Sequence, residues 1–195
     1  MTKNKQENSK RPGSVRIIGG QWRGRRLPVR DLPGLRPSGD RSRETLFNWL
    51  HAHVRGSSCV DLFAGSGALG LEAASRGALQ VTLVEKLSAA ATDLREVVLA
   101  LEADQVTVKQ ADAEHWLQHS CPAQSVDIVF VDPPFGLQLE HRAMELIDLG
   151  DCVRKGGFVY IERAADAAMF FAGPGWEVTR EKEMGDVRLL LLKKI

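Results

Sequence analysis

VDIVFVDPPFG, Val126 to Gly136, is the stretch around which the chain is organised. Its first seven residues alternate too little for a half-exposed strand and are too few for a helix, so they read as a buried, parallel strand. Pro133 and Pro134 then remove two backbone donors and stop both sheet and helix, which leaves the carbonyls of Asp132 and Pro133 to accept from another group. Phe135 follows on a loop. A carboxylate, backbone acceptors and an aromatic face at one strand tip suit a planar ligand carrying an NH2 group. The competing reading is a plain Pro-Pro turn with a core phenylalanine.

Outward from this stretch, strand and helix patterns alternate. Strands are expected at 59–63, 80–85, 105–109, 126–132 and 157–162, with helices at 67–76, 87–103, 112–119 and 139–149. Such a βαβ series predicts an α/β fold with an open, parallel sheet and helices on both faces. WEVTREKEMGDVRLLLLKK, at the C-terminus, has no room for a helix between its two runs and reads as an antiparallel pair turning near Gly185 and Asp186. Together these make seven strands. Val15 to Val29 reads as two further short strands about Gly19 and Gly20, 31–40 as a Pro- and Gly-rich loop, and 1–14 as a disordered tail. A helix starting at Asp40 as N-cap buries Leu46, Phe47, Trp49 and Leu50. The expected division is a basic tail, 1–14, a hairpin and loop, 15–40, and a main domain, 41–195.

Composition narrows the function classes. At 195 residues with 44% hydrophobic and 26% charged, the chain has enough material for one well-buried core. Cys59, Cys121 and Cys152 are odd in number and widely spaced, matching neither a disulfide framework nor a zinc site, and a reducing cytoplasm is expected. His51 and His53 stand two apart on one helix, do not share a face, and suggest no metal. No apolar run nears the length of a membrane span. Residues 1–43 hold twelve Lys/Arg against three Asp/Glu, while the remainder holds fourteen against twenty-two. A basic N-terminal part on an acidic body points to a polyanion partner. Trp22, among those arginines, either stacks on that partner or pins the hairpin; Trp49, Trp116 and Trp176 read as packing.

Asp61-Leu-Phe-Ala-Gly-Ser-Gly67 leaves the first parallel strand and enters a helix near Ala68. Glycines there let backbone approach a ligand, and the helix start presents unpaired amides. Gly65, Gly67 and Gly70 also fit the dinucleotide pattern GxGxxG, with an acid twenty residues on at Glu85. Glu85 ends the second strand, where it can accept both hydroxyls of a ribose; Asp112, after the third, either reaches an adenine amino group or caps a helix. Asp61, Glu85, Asp112 and Asp132 thus end four strands in a row and converge on one crevice. That crevice suits a cationic adenosine better than a pyrophosphate.

DLFAGSG and its following acids resemble the S-adenosylmethionine site of class I methyltransferases, whose Rossmann-like sheet is the expected fold, and DPPF resembles the Asp/Asn/Ser-Pro-Pro-aromatic motif of members that methylate nitrogen. RIIGGQWRGRRLPV, GLRPSGDRSRETLFNWL, DLFAGSGALGLEAASRG and VFVDPPF are similar, in order and spacing, to the RsmD-type 16S rRNA guanine-N2 methyltransferases. The likeness is dense over 15–162. It departs at Ser38 and Gly39, where that family usually has Thr and a small polar residue. The resemblance implies S-adenosylmethionine as cofactor, S-adenosylhomocysteine as product, no metal, and a monomer acting on 16S rRNA or the small ribosomal subunit. It implies cofactor binding by Asp61, Phe63, Ala64, Gly65, Ser66, Gly67, Glu85, Lys86, Asp112 and Ala113. Catalysis is implied for Asp132, Pro133, Pro134 and Phe135, and RNA binding for Arg23, Arg25, Arg26, Arg36, Ser38 and Arg41. Three rivals stand beside it: a nicotinamide-dependent oxidoreductase, an adenine-N6 methylase of DNA or other RNA, and a non-catalytic assembly factor on the same fold.

Overall fold

The computed structural model of the chain describes residues 13–29, 39–134 and 139–195. The tail over 1–12, the loop over 31–38, Arg30, Arg36, Ser38 and Phe135 therefore lie outside the described residues, while Gly13 and Ser14 belong to a strand.

The elements run β1 (Gly13–Arg16), β2 (Arg26–Val29), α1 (Asp40–Trp49), β3 (Ser58–Asp61), α2 (Ala68–Ser75), β4 (Gln80–Glu85), α3 (Ser88–Ala100) and β5 (Val106–Gln110). They continue α4 (Ala113–His119), β6 (Val126–Val131), α5 (Leu139–Leu149), β7 (Val153–Ala164), β8 (Trp176–Met184) and β9 (Val187–Lys194). Seven strands form one sheet in the order β5-β4-β3-β6-β7-β9-β8. The first five are mutually parallel, and β9 lies antiparallel between β7 and β8. The chain winds from β3 to β4 and β5 in one direction, then crosses back to β6 and β7 on the other side of β3. The carboxyl ends of β3 and β6 thus flank the topological switch, the place where an open α/β sheet leaves a crevice.

Each sheet face has its own apolar layer. One unites Leu46 and Phe47 of α1, Leu69 and Leu71 of α2 and Leu94 of α3 with Phe130 and Tyr160 of the sheet. The other unites Trp116 and Leu117 of α4 with Met144 and Ile147 of α5 over Val129, Val131 and Ile161. The strands are continuous apolar runs because both faces are covered.

The hairpin β1–β2 pairs Gly13 with Val29 and Arg16 with Arg26, and Val15, Ile17, Trp22 and Leu27 join the first apolar layer. Trp22 is buried, and its amide donates to Ser75 Oγ at 2.9 Å, so it packs the hairpin onto α2 and offers no free face. Two expectations are corrected. Gly39, not Asp40, holds the N-cap of α1; Asp40 instead accepts from Arg43 Nη2 at 2.6 Å, one helical turn on. Trp49 is only partly buried, because the apolar stripe of α1 runs through Leu46, Phe47 and Leu50.

Candidate functional site

The glycine loop between β3 and α2 is built by packing demands. Gly65 and Gly67 have φ of 50° and 76°, the left-handed region that β-carbons disfavour. A Cβ on Gly67 would also sit 2.7 Å from Leu71 Cδ1 and 2.8 Å from Leu94 Cδ2. At Gly70 the limit is the sheet: a Cβ would collide with Leu83 Cδ2, so α2 lies this close to β4 only because that residue is glycine.

Asp61 ends β3 with 1% exposure. Its Oδ2 accepts from the Gly70 amide at 3.0 Å, which satisfies one of the donors that a helix start leaves unpaired. Among the described residues Oδ1 has no hydrogen-bond partner. Burial pushes the carboxyl up to about 7, the Gly70 and Phe63 amides pull it back, and the Glu85 charge adds to the rise. Glu85, at the end of β4, accepts from the Gly65 amide at 2.9 Å through Oε2 and from the Leu87 amide at 2.7 Å through Oε1. It ties the glycine loop to the β4 exit.

Asp112 sits at the N-cap of α4, where Oδ1 accepts from the Glu114 amide at 3.0 Å and the His115 amide at 3.4 Å. Its Oδ2 lies 3.0 Å from Lys86 Nζ, and that ammonium, with the two amides, holds the carboxyl below the usual carboxylate range. Both roles considered for Asp112 remain compatible, since a carboxylate has about four acceptor sites. Ala64 and Ala113 are buried beside these acids, while Phe63, Gly65 and Ser66 are half-buried.

Val129 of β6 pairs with Val60 of β3, so Asp132 and the buried Pro133 emerge just beyond Asp61 on the next strand. Pro134 is exposed. Asp61, Glu85, Asp112 and Asp132 therefore follow four adjacent strands at one edge of the sheet. Of the basic residues assigned to RNA, Arg23, Arg25, Arg26 and Arg41 are exposed.

A second polar cluster escaped the sequence reading. Glu72, fully buried on α2, accepts from the amides of Ile18 at 2.7 Å and Gly19 at 2.8 Å and from Arg76 Nε at 2.7 Å. Arg43, also fully buried, donates to the Arg16 carbonyl at 2.9 Å and places Nη1 3.7 Å from Glu72. Ser75 Oγ donates to the Gly19 carbonyl at 2.6 Å. The hairpin is thereby fastened to the helix that carries the glycine loop. The only signal in the sequence is a glutamate inside the otherwise small and apolar run ALGLEAAS. Tyr160 and Glu162 on β7 were missed as well, although FVYIE is another apolar run ending in an acid at the same edge.

Comparison with known proteins agrees with this geometry. The family model described as "Conserved hypothetical protein 95" matches residues 15–193. The chain is 41% identical over 191 residues to the Escherichia coli (strain K12) protein named ribosomal RNA small subunit methyltransferase D, covering 97% of this chain and 95% of that one. It is 39% identical over 177 residues to the protein of that name from Haemophilus influenzae, with 90% and 91% covered. The solved structure titled putative methyltransferase yhhF from Escherichia coli superposes with a TM-score of 0.86 at 39% identity, covering 93% of this chain and 98% of that one. Seven strands in this order, the glycine loop and the relatives together show that the chain belongs to the RsmD-type, class I methyltransferase family.

Proposed function

We propose that this chain transfers a methyl group from S-adenosylmethionine to the exocyclic N2 amine of one guanine in 16S ribosomal RNA, with the small ribosomal subunit or a late assembly intermediate as substrate, in the cytoplasm. The observation that carries this is the emergence of Asp132 and Pro133 at the switch point, one strand from the glycine loop and its buried acid.

The residues present fit the cofactor. Asp61 Oδ1 is a buried polar atom lacking a partner among the described residues, and a polar group on a ligand would satisfy it. Each Glu85 oxygen has accepted one amide, which leaves a further acceptor site on each for a ribose diol. Asp112, after β5, is assigned the adenine amino group. When bound, the cofactor supplies a methyl group made electrophilic by a sulfonium charge, and an acid-lined crevice favours that charge over a pyrophosphate.

The guanine amine is a poor nucleophile because its lone pair is delocalised into the ring. Asp132 and the Pro133 carbonyl are assigned its two hydrogens; accepting both turns the lone pair out of conjugation and toward the methyl donor. The proton released on methylation goes to Asp132 or to water. A guanine must leave its stack to reach this edge, and Phe135 is assigned the replacement face. Arg23, Arg25, Arg26 and Arg41 would meet the phosphates, with Arg36 and Ser38 assigned to the same partner.

Two measurements test this. S-adenosylhomocysteine should raise the melting temperature, as a ligand selective for the native state does, and NAD should not. Asp132→Ala should lower single-turnover methyl transfer to small subunits by about 10²- to 10³-fold while leaving RNA affinity nearly unchanged. A melting shift with NAD and none with S-adenosylhomocysteine would overturn the assignment.

A further inference from the structure

We infer that the target base is recognised as guanine by two neighbouring carboxylates, Asp132 after β6 and Glu162 on β7, with Tyr160 orienting the second. This rests on the function proposed above and names the residue that would set its base specificity.

Strands β6 and β7 are parallel and pair Phe130 with Tyr160 and Val131 with Ile161. Glu162, two residues after Tyr160 in β7, shares the sheet face of Tyr160, and Asp132 follows the last residue of β6, so continuing the register sets the two backbones side by side at about the 4.8 Å spacing of neighbouring strands. Glu162 is buried, and its Oε2 accepts from Tyr160 Oη at 2.8 Å. Burial, then the charges of Glu162 and Asp132, push the Tyr160 phenol well above its ordinary value. Tyr160 thus remains a donor, and its bond fixes how the Glu162 carboxylate is turned.

Two adjacent carboxylates select among bases by the pattern of their edges. Guanine presents N1–H beside its N2 amine, a row of donors, and a carboxylate accepts from each. Adenine sets its N6 amine beside the N1 lone pair, and cytosine sets its N4 amine beside the N3 lone pair. Either would place a lone pair against a buried carboxylate, which is repulsive. With Asp132 on the reacting amine, Glu162 falls to N1–H. The same two acids would then tell this substrate from the amines of adenine and cytosine, which otherwise suit a strand tip of the DPPF kind equally well. Hydrogen bonds that Asp132 and Glu162 make within the protein do not preclude this, since each carboxylate has about four acceptor sites.

The test uses small subunits reconstituted on rRNA that carries either guanine or 2-aminopurine at the methylated position. 2-Aminopurine keeps the amine but replaces N1–H with a lone pair. Wild-type protein should favour guanine by about 10- to 100-fold in single-turnover methyl transfer, the usual range for a good base-reading pair. Glu162→Gln can turn its amide NH2 toward the lone pair, so the preference should narrow about tenfold or more, with the S-adenosylhomocysteine melting shift retained. Tyr160→Phe, which frees the carboxylate to turn, should narrow it by a smaller factor, and it decides the matter if Glu162→Gln does not fold. A preference unchanged in the folded variants, including one in which both rates fall together, would overturn the inference and make the pair structural. Failure of the wild-type protein to methylate guanine at all would instead overturn the function proposed above.

Discussion

Asp61→Asn should flatten the pH dependence of stability between pH 5 and 8. Asp61 is 1% exposed and its carboxyl is pushed from 3.8 to about 7, chiefly by burial. Between pH 5 and about 7 the native state therefore holds a proton that the unfolded chain has already released. For a group whose folded value is raised, the stabilising contribution is complete below the unfolded value, near 4, and is lost as pH rises through 7. At about 1.4 kcal/mol per unit, the two units between pH 5 and 7 remove on the order of 3 kcal/mol from the wild-type protein, with little further change above 7. Asparagine is uncharged throughout and nearly isosteric. Its Oδ1 can keep the Gly70 amide, while its Nδ2 takes the place of the oxygen that has no partner among the described residues. Urea unfolding at pH 5 and pH 8 should show wild type losing that amount relative to Asp61→Asn, which becomes the more stable of the two at pH 8. The same variant should lose most of the S-adenosylhomocysteine melting shift. Parallel pH profiles for the two proteins would refute the assignment of a buried, protonated Asp61.

Other perturbations probe separate parts of the structure. Glu72→Ala removes the acceptor for the Ile18 and Gly19 amides and leaves Asp40 as the one carboxylate beside buried Arg43 among the described residues, so unfolding free energy should fall by about 3–5 kcal/mol in urea titrations. Gly67→Ala combines a left-handed backbone with approaches to Leu71 and Leu94 that are too short; a loss of about 1–3 kcal/mol and a weaker cofactor melting shift are expected by calorimetry. Replacing the exposed Arg23 and Arg25 with Ser should lower the log-log salt slope of RNA binding by roughly 0.7 to 0.9 for each phosphate that an arginine no longer neutralises, with the melting shift unchanged.

The parallel core was legible because a strand covered on both faces must be a continuous apolar run, and because the ligand-bearing edge ends such runs in acids. VTLVE and VDIVFVD announce β4 and β6 with their carboxylates in this way. Strand β7 was harder to delimit. It begins at Val153, but Gly156 with φ of 81° and a register shift between Val126 and Ile128 interrupt its pairing with β6. A Cβ on Gly157 would stand 2.7 Å from Val153 Cγ1 and 2.8 Å from the Asp127 carbonyl, so Gly157 marks a close crossing inside the strand. Buried charge was the least legible feature. Arg43 counted among the cations of a basic surface, and nothing local to RSRETLF marks it as paired with Glu72 of α2, distant in the sequence. Glu162 closes the run FVYIE with Arg163 directly after it, and nothing in that pair of opposite charges signals that both side chains are buried.

The most direct test of guanine-N2 methylation is to incubate the protein with isotopically methyl-labelled S-adenosylmethionine and small subunits lacking the modification, then digest the rRNA to nucleosides and identify the labelled one by mass spectrometry. The label is expected in N2-methylguanosine at a single position of 16S rRNA. Label in N6-methyladenosine, or none above a control carrying Asp132→Ala, would contradict it.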